Sequence, residues 1–198
     1  MALERPSSAL VVAGMTMSLD GYVADANGGT SQLYADLAQW RHSEGGRASI
    51  AATGAVVMGR KTFEMAADAD AYADTYEYQV PIFVLTSCPP ARVPKENSEL
   101  SFTFVTDGLE GALDQARAAA KSRQVTVVGG ATLIQGLLRS SLIDVLEVDV
   151  MPVLLGGGLR LFGASTTPIL FRRLSVDALP HGRTHLRYAM ESSQPSQQ

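Results

Sequence analysis

Short apolar runs alternate with helix-patterned segments through most of this chain, and after Asp144 the helical pattern stops. A strand, a helix and a second strand return to one sheet through a right-handed crossover, so the alternation predicts a mainly parallel sheet. The predicted strands of this part are Ala9–Met15, Ala55–Met58, Ile82–Leu85, Phe102–Val105 and Val125–Val128. Predicted helices cover Gln32–His42, Lys61–Ala67, Leu109–Lys121 and Thr132–Arg139. Three further strand-like runs, Val145–Met151, Leu170–Val176 and Thr184–Met190, follow with no helix between them and predict an antiparallel finish. The fold class is therefore α/β. Helix 109–121 is the clearest, with Asp107 as N-cap and Leu109, Leu113, Ala116 and Ala120 on one stripe.

At 198 residues the chain fits one domain, its core spanning about 9–190, with a Ser/Gln/Pro tail at 192–198 predicted to be unstructured. A net charge of −4 argues against a broad nucleic-acid surface. No apolar run approaches the roughly 20 residues that cross a bilayer. Residues 1–8, with Glu4, Arg5 and Pro6, do not resemble a secretory signal. Cys88 is the only cysteine, which excludes an internal disulfide and fits a cytoplasmic location.

The segment Val56 to Glu64 carries the strongest functional signal. A buried strand ends at Gly59, and a helix is predicted to begin at Lys61, so Arg60, Lys61, Thr62 and unpaired helix amides gather at one point. Such a turn suits phosphate, because cations and free N–H groups both favour anions. The spacing nearly spells the ATPase phosphate loop but holds one residue too many. Its variable positions are Ala55 to Met58, which belong inside a sheet.

Three other loops follow strand ends, where open α/β sheets bind ligands. In Thr16 to Tyr22, Asp20 either contacts a substrate or closes the turn at Gly21. Thr86 and Ser87 offer two hydroxyls, for ribose or phosphate oxygens or to tie the turn before Pro89. Gly129, Gly130, Ala131 and Thr132 join a strand to a helix and let a ligand approach the backbone, although the G-x-G-x-x-G pattern is absent. Asp36 borders the apolar helical face of Leu33, Leu37 and Trp40, where a carboxylate either relays a proton or is a solvated helix position. The three histidines form no metal pattern, and no G-x-S-x-G elbow occurs.

Five motifs in order carry a family resemblance: Met17–Gly21, Val57–Phe63, Phe83–Ser87, Val127–Ala131 and Pro152–Gly158. The chain resembles the dihydrofolate reductase superfamily. Within it, the chain is most similar to the C-terminal reductase domain of the bifunctional riboflavin-biosynthesis deaminase/reductase, in a stand-alone form. The resemblance implies a three-layer fold, a central mixed sheet with helices on both faces, and NADPH across the strand ends. It assigns Gly59, Arg60, Lys61 and Thr62 to cofactor phosphates and Thr86 and Ser87 to the adenosine side. Gly129, Gly130, Ala131 and Thr132 fall to the pyrophosphate, and backbone near Ala13 to the nicotinamide carboxamide. It also implies a homodimer and an NADPH-dependent reductase that passes hydride to a C=N or C=O carbon of a small pyrimidine- or pterin-like substrate. Asp36 and Asp20 are then the candidate catalytic contacts, with Asp36 as proton relay. Riboflavin-pathway relatives carry a glutamate before the paired glycines, where this chain has Val128. A non-catalytic NADPH-binding protein is the alternative.

Overall fold

The computed structural model describes residues 9–163 and 168–191; the tail expected at 192–198 lies outside them. Among the described residues there are ten strands: β1 Val11–Ser18, β2 Tyr22–Ala24, β3 Thr53–Gly59, β4 Ile82–Leu85, β5 Phe102–Val105, β6 Gln124–Val127, β7 Val145–Met151, β8 Leu159–Arg160, β9 Phe171–Ala178 and β10 Thr184–Met190. Six α-helices accompany them among the described residues: α1 Leu37–His42, α2 Glu44–Ala52, α3 Arg60–Phe63, α4 Tyr72–Thr75, α5 Gly108–Ala120 and α6 Ala131–Arg139. Eight strands form one sheet in the order β5-β4-β3-β6-β1-β7-β10-β9, and β2 pairs with β8 apart from it. Every pair from β5 to β7 is parallel, and β7/β10 and β10/β9 are antiparallel. The fold is thus the mixed, mainly parallel α/β architecture expected.

A central strand buried on both faces needs apolar residues in succession, and β3 has them. Its side chains alternate between two cores. Ala55 and Val57 join β1, β6, α5 and α6 on one side, while Val56 and Met58 join Phe63, Tyr72, Ile82 and Phe102 on the other. Each fully buried Val or Ile there contributes about 1.5–3 kcal/mol. Helix α5 buries Leu113, Ala116 and Ala120 of the stripe read from its spacing, with Ala112 beside them and Leu109 only half-buried, and the small residues let it lie close to the sheet. Asp107 holds the N-cap position without making the side-chain cap bond.

Two helices depart from expectation. The helix expected over 32–42 begins only at Leu37, with residues 31–36 in turns. A further helix, α2, follows it at once. The pair Gly45 and Gly46 conceals α2 in the sequence, yet Gly46 is required there, since a Cβ would fall 2.0 Å from the Trp40 carbonyl. Ser43 caps α2 by accepting from the Gly46 amide at 3.0 Å. The helix expected at 61–67 is only one turn, Arg60–Phe63. Among the described residues no helix is long and apolar enough to cross a membrane.

Candidate functional site

Because β1, β3, β4 and β6 are parallel neighbours, their carboxyl ends share one edge of the sheet, and the four loops read from the sequence gather there. The Gly59 amide donates to the Gly129 carbonyl at 2.8 Å. Thr62 Oγ1 lies 3.4 Å from the point a Gly130 Cβ would occupy. The Gly59–Thr62 turn and the Gly129–Thr132 turn are therefore in contact. The stretch 55–58 lies wholly inside β3, so no loop is present there to wrap phosphate in the ATPase manner.

On the β1 side of the Gly129 turn the sheet opens. The β1–β6 ladder ends where Ala13 faces Val127, while the β1–β7 ladder runs on to Ser18. From Gly14 onward the β6 side of β1 therefore has no strand partner. The half-buried backbone at Gly14 and Met15, next to Gly129, can meet a ligand amide. Helix α6 starts at the same place with Gly130 as N-cap, and the amides of its first turn face the opening.

Arg60 reaches across to the neighbouring loop. It donates through Nε to Glu64 at 2.7 Å and through Nη1 to the Cys88 carbonyl, so its guanidinium stands over the turn after β4. Lys61 is exposed beside it. In that turn the Thr86 hydroxyl donates to the Cys88 carbonyl at 3.0 Å and accepts from the Cys88 amide at 3.1 Å. Of the two readings for this pair, Thr86 shows the turn-tying one, and Ser87 is left exposed.

Asp20 likewise closes a loop. Its carboxylate accepts from Ser18 Oγ, from the Leu155 amide at 3.1 Å and from the Gly156 amide at 2.7 Å. The Ser18 hydroxyl first, then the two amides, hold its pKa below 3.8. These bonds tie the glycine-rich segment 154–157 to the end of β1.

Asp36 is buried rather than solvated, and its partner is a residue that sequence reasoning did not select. Arg183, 4% exposed at its side chain, donates to both Asp36 oxygens, Nε at 2.9 Å and Nη2 more closely. Its Nη1 donates to Asp149 at 3.0 Å and to Thr16 Oγ1 at 3.2 Å, and Nη2 also reaches the Leu33 carbonyl at 3.2 Å. The Arg183 hydrogen bonds hold the Asp36 carboxyl below 3.8, although burial opposes them. Burial likewise pulls the guanidinium pKa down, and Asp36 and Asp149 more than offset it. Asp36 is therefore an ion of the interior at neutral pH, and any transfer of a proton through it requires Arg183 to release it. Sequence distance hides the pairing, since Arg183 follows a turn at His181-Gly182 and its partners lie 34 to 167 positions away. Among the described residues no cluster of three or more His, Cys, Asp or Glu is placed to hold a metal.

The family model of the RibD C-terminal domain matches residues 9–183. The chain belongs to the RibD C-terminal domain family. No curated protein shows a significant match to the sequence. Among solved structures, it is similar to a protein ascribed to riboflavin biosynthesis in Shewanella sp. PV-4, at 24% identity, over 92% of this chain and 99% of that one, with TM-score 0.66. It is similar to a Thermotoga maritima diaminohydroxyphosphoribosylaminopyrimidine deaminase/5-amino-6-(5-phosphoribosylamino)uracil reductase, at 16% identity, over 92% of this chain and 57% of that one, with TM-score 0.64. Enterococcus faecalis dihydrofolate reductase, complexed with NADP(H) and RAB-propyl, shares 16% identity over 93% of this chain and 99% of its own, with TM-score 0.59. At these identities the structures establish the fold, and membership of the family rests on the sequence model.

Proposed function

We propose that this RibD C-terminal domain is an NADPH-dependent reductase of the pyrimidine or folate type, acting on a C=N or C=O group of a small heterocycle in the cytoplasm. The observation that carries the reading is the opening between the Gly129–Thr132 turn and the unpaired edge of β1, with the Gly59–Thr62 turn against its far side. It offers what a dinucleotide needs in one line: cations at Arg60 and Lys61, a hydroxyl at Ser87, the first-turn amides of α6, and an unpaired strand edge near Ala13 for a carboxamide. NADPH held there would supply the hydride. The chain's own part is to align substrate and cofactor and to exclude water. Asp20 acts here through the loop it holds, and Asp36 through its pairing with Arg183.

Calorimetric titration of NADPH and NADH into the native protein and Arg60→Ala tests the reading. If Arg60 meets the 2′-phosphate, its loss weakens NADPH by roughly tenfold to a hundredfold and leaves NADH unchanged, as expected for one charge-assisted hydrogen bond. Equal loss of both cofactors defeats the Arg60 assignment, and no binding of either defeats the reductase. Because both candidate carboxylates are held by protein groups, a cofactor-binding protein without turnover is the second reading. It predicts tight NADPH binding and no oxidation across pterin, pyrimidine and carbonyl panels.

We also propose a homodimer. Strand β9 lies at the sheet edge, and Phe171, Val176, Leu186 and Tyr188 share one face of β9 and β10, with Val176 49% exposed. A second copy covering that face would remove an apolar edge from water.

A further inference from the structure

We propose that Met15 controls the entry of a flat ring into the opening between β1 and Gly129: its thioether lies in the place the ring would take and turns aside to admit it. The inference deepens the reductase reading and rests on it for the identity of the ring, the nicotinamide of NADPH.

The β1–β6 ladder stops where Ala13 faces Val127, so Met15 has no strand partner on that side. Its side chain takes up the room. Met15 Cε lies 2.6 Å, and Sδ 3.7 Å, from the point a Gly129 Cβ would occupy. Only a glycine leaves that point free, and the Met15 methyl fills it. Thr62 Oγ1 lies 3.7 Å from the same point, so the methyl reaches toward the Gly59–Thr62 turn. Tyr34 approaches the sulfur from elsewhere, its hydroxyl pointing at Met15 Sδ, 3.9 Å away. Tyr34 also bonds with Thr16, whose side chain leaves β1 on the face opposite to Met15. Met15 itself packs against the core formed with α5 and α6. A side chain that meets groups from both faces lies in the gap of the sheet itself.

What holds it there is weak. A thioether is a poor acceptor, and Met15 is only half-buried. Burial raises the Tyr34 pKa above 10.0, with Thr16 opposing it, so the phenol keeps its proton at neutral pH. Methionine is unbranched with three rotatable bonds, and it can leave the gap with no movement of β1. Gly14 keeps the neighbouring position clear, since a Cβ there would meet nothing within 4 Å. Every ring that enters must displace the thioether, and a protein without it presents the opening ready formed.

The test uses NADPH and 2′-phospho-ADP-ribose, the same ligand cut off before the nicotinamide. In native protein labelled at its methionine methyls, NMR should show a contact between the Met15 methyl and the Gly129 α-protons. NADPH should abolish that contact, and 2′-phospho-ADP-ribose should leave it. Calorimetry then compares the native protein with Met15→Ala and Met15→Val, whose shorter side chains stop short of Gly129, and thermal unfolding reports which of them fold. Expected is about tenfold tighter NADPH binding to the variants, as for an opening closed about nine-tenths of the time, with the shortened ligand unchanged. A Met15–Gly129 contact that persists with NADPH bound would overturn the proposal whether or not the variants fold. So would folded variants that bind NADPH no tighter than the native protein, or that gain equally for both ligands. Failure of the native protein to bind either ligand removes the reductase reading and this inference with it, whereas NADPH bound with the contact intact removes the Met15 inference alone.

Discussion

On the face of the sheet away from α5 and α6, β7 and β10 set charges directly opposite one another. His185 faces Asp149, with Nδ1 and Oδ1 2.8 Å apart, and Arg187 faces Glu147 at 2.7 Å. Asp149 therefore serves both His185 and Arg183. The Asp149 hydrogen bond raises the His185 pKa above 6.5, against the opposing effect of burial. A group whose pKa is raised by folding binds its proton more tightly in the native state. Its contribution is complete below the unfolded pKa and is lost as pH rises through the folded value. Melting temperature measured across pH 5 to 9 should therefore fall, from the ordinary histidine pKa upward, in the native protein more than in His185→Gln. Parallel curves would show that the Asp149 bond does not couple to folding.

At the level of elements, the close approach of α5 to β3 depends on a missing side chain. A Cβ on Gly54 would lie 2.6 Å from the Ala120 carbonyl oxygen and 2.9 Å from its Cα, which are backbone atoms that a rotamer change cannot relieve. Gly54→Ala should lower stability by about 1–3 kcal/mol through overpacking, read from urea midpoints at constant slope. An unchanged midpoint would mean that α5 shifts without cost. The glycine-rich segment 154–157 depends instead on the Asp20 carboxylate. In Asp20→Asn, amide exchange at Leu155 and Gly156 should quicken while that of β6 stays as it was, since one amide oxygen cannot serve both N–H groups and Ser18 as the carboxylate does. Equal exchange in the two proteins would sink the claim that Asp20 ties the loop.

The molecule joins a parallel half, at whose carboxyl edge the four loops gather, to an antiparallel half in which β9 is the outermost strand among the described residues. If the β9 edge is the dimer face, Val176→Asp places a charge in the interface. Sedimentation of the native protein should then give twice the monomer mass, and the variant should move toward the monomer. A monomeric native protein would dismiss the dimer. Much of this architecture was legible in the residues. The strands at 82–85, 102–105, 145–151 and 184–190 stand where they were expected, because runs of apolar β-formers have few other places to go. The turns at Gly59 and Gly129 were legible because strand, glycine and helix follow one another within a few positions. Helix α2 was not, since its glycines serve a contact with Trp40 that local preference does not foresee. Periodicity, turn chemistry and motif order act over a few residues, so the sequence alone determined the class of fold, the loops that gather at one edge of the sheet, and the family. What becomes of a carboxylate depends on groups far away in the chain. Only the tertiary structure decided that Asp20 ties a loop, that Asp36 is held by Arg183, and that one guanidinium bonds to three distant segments of the chain.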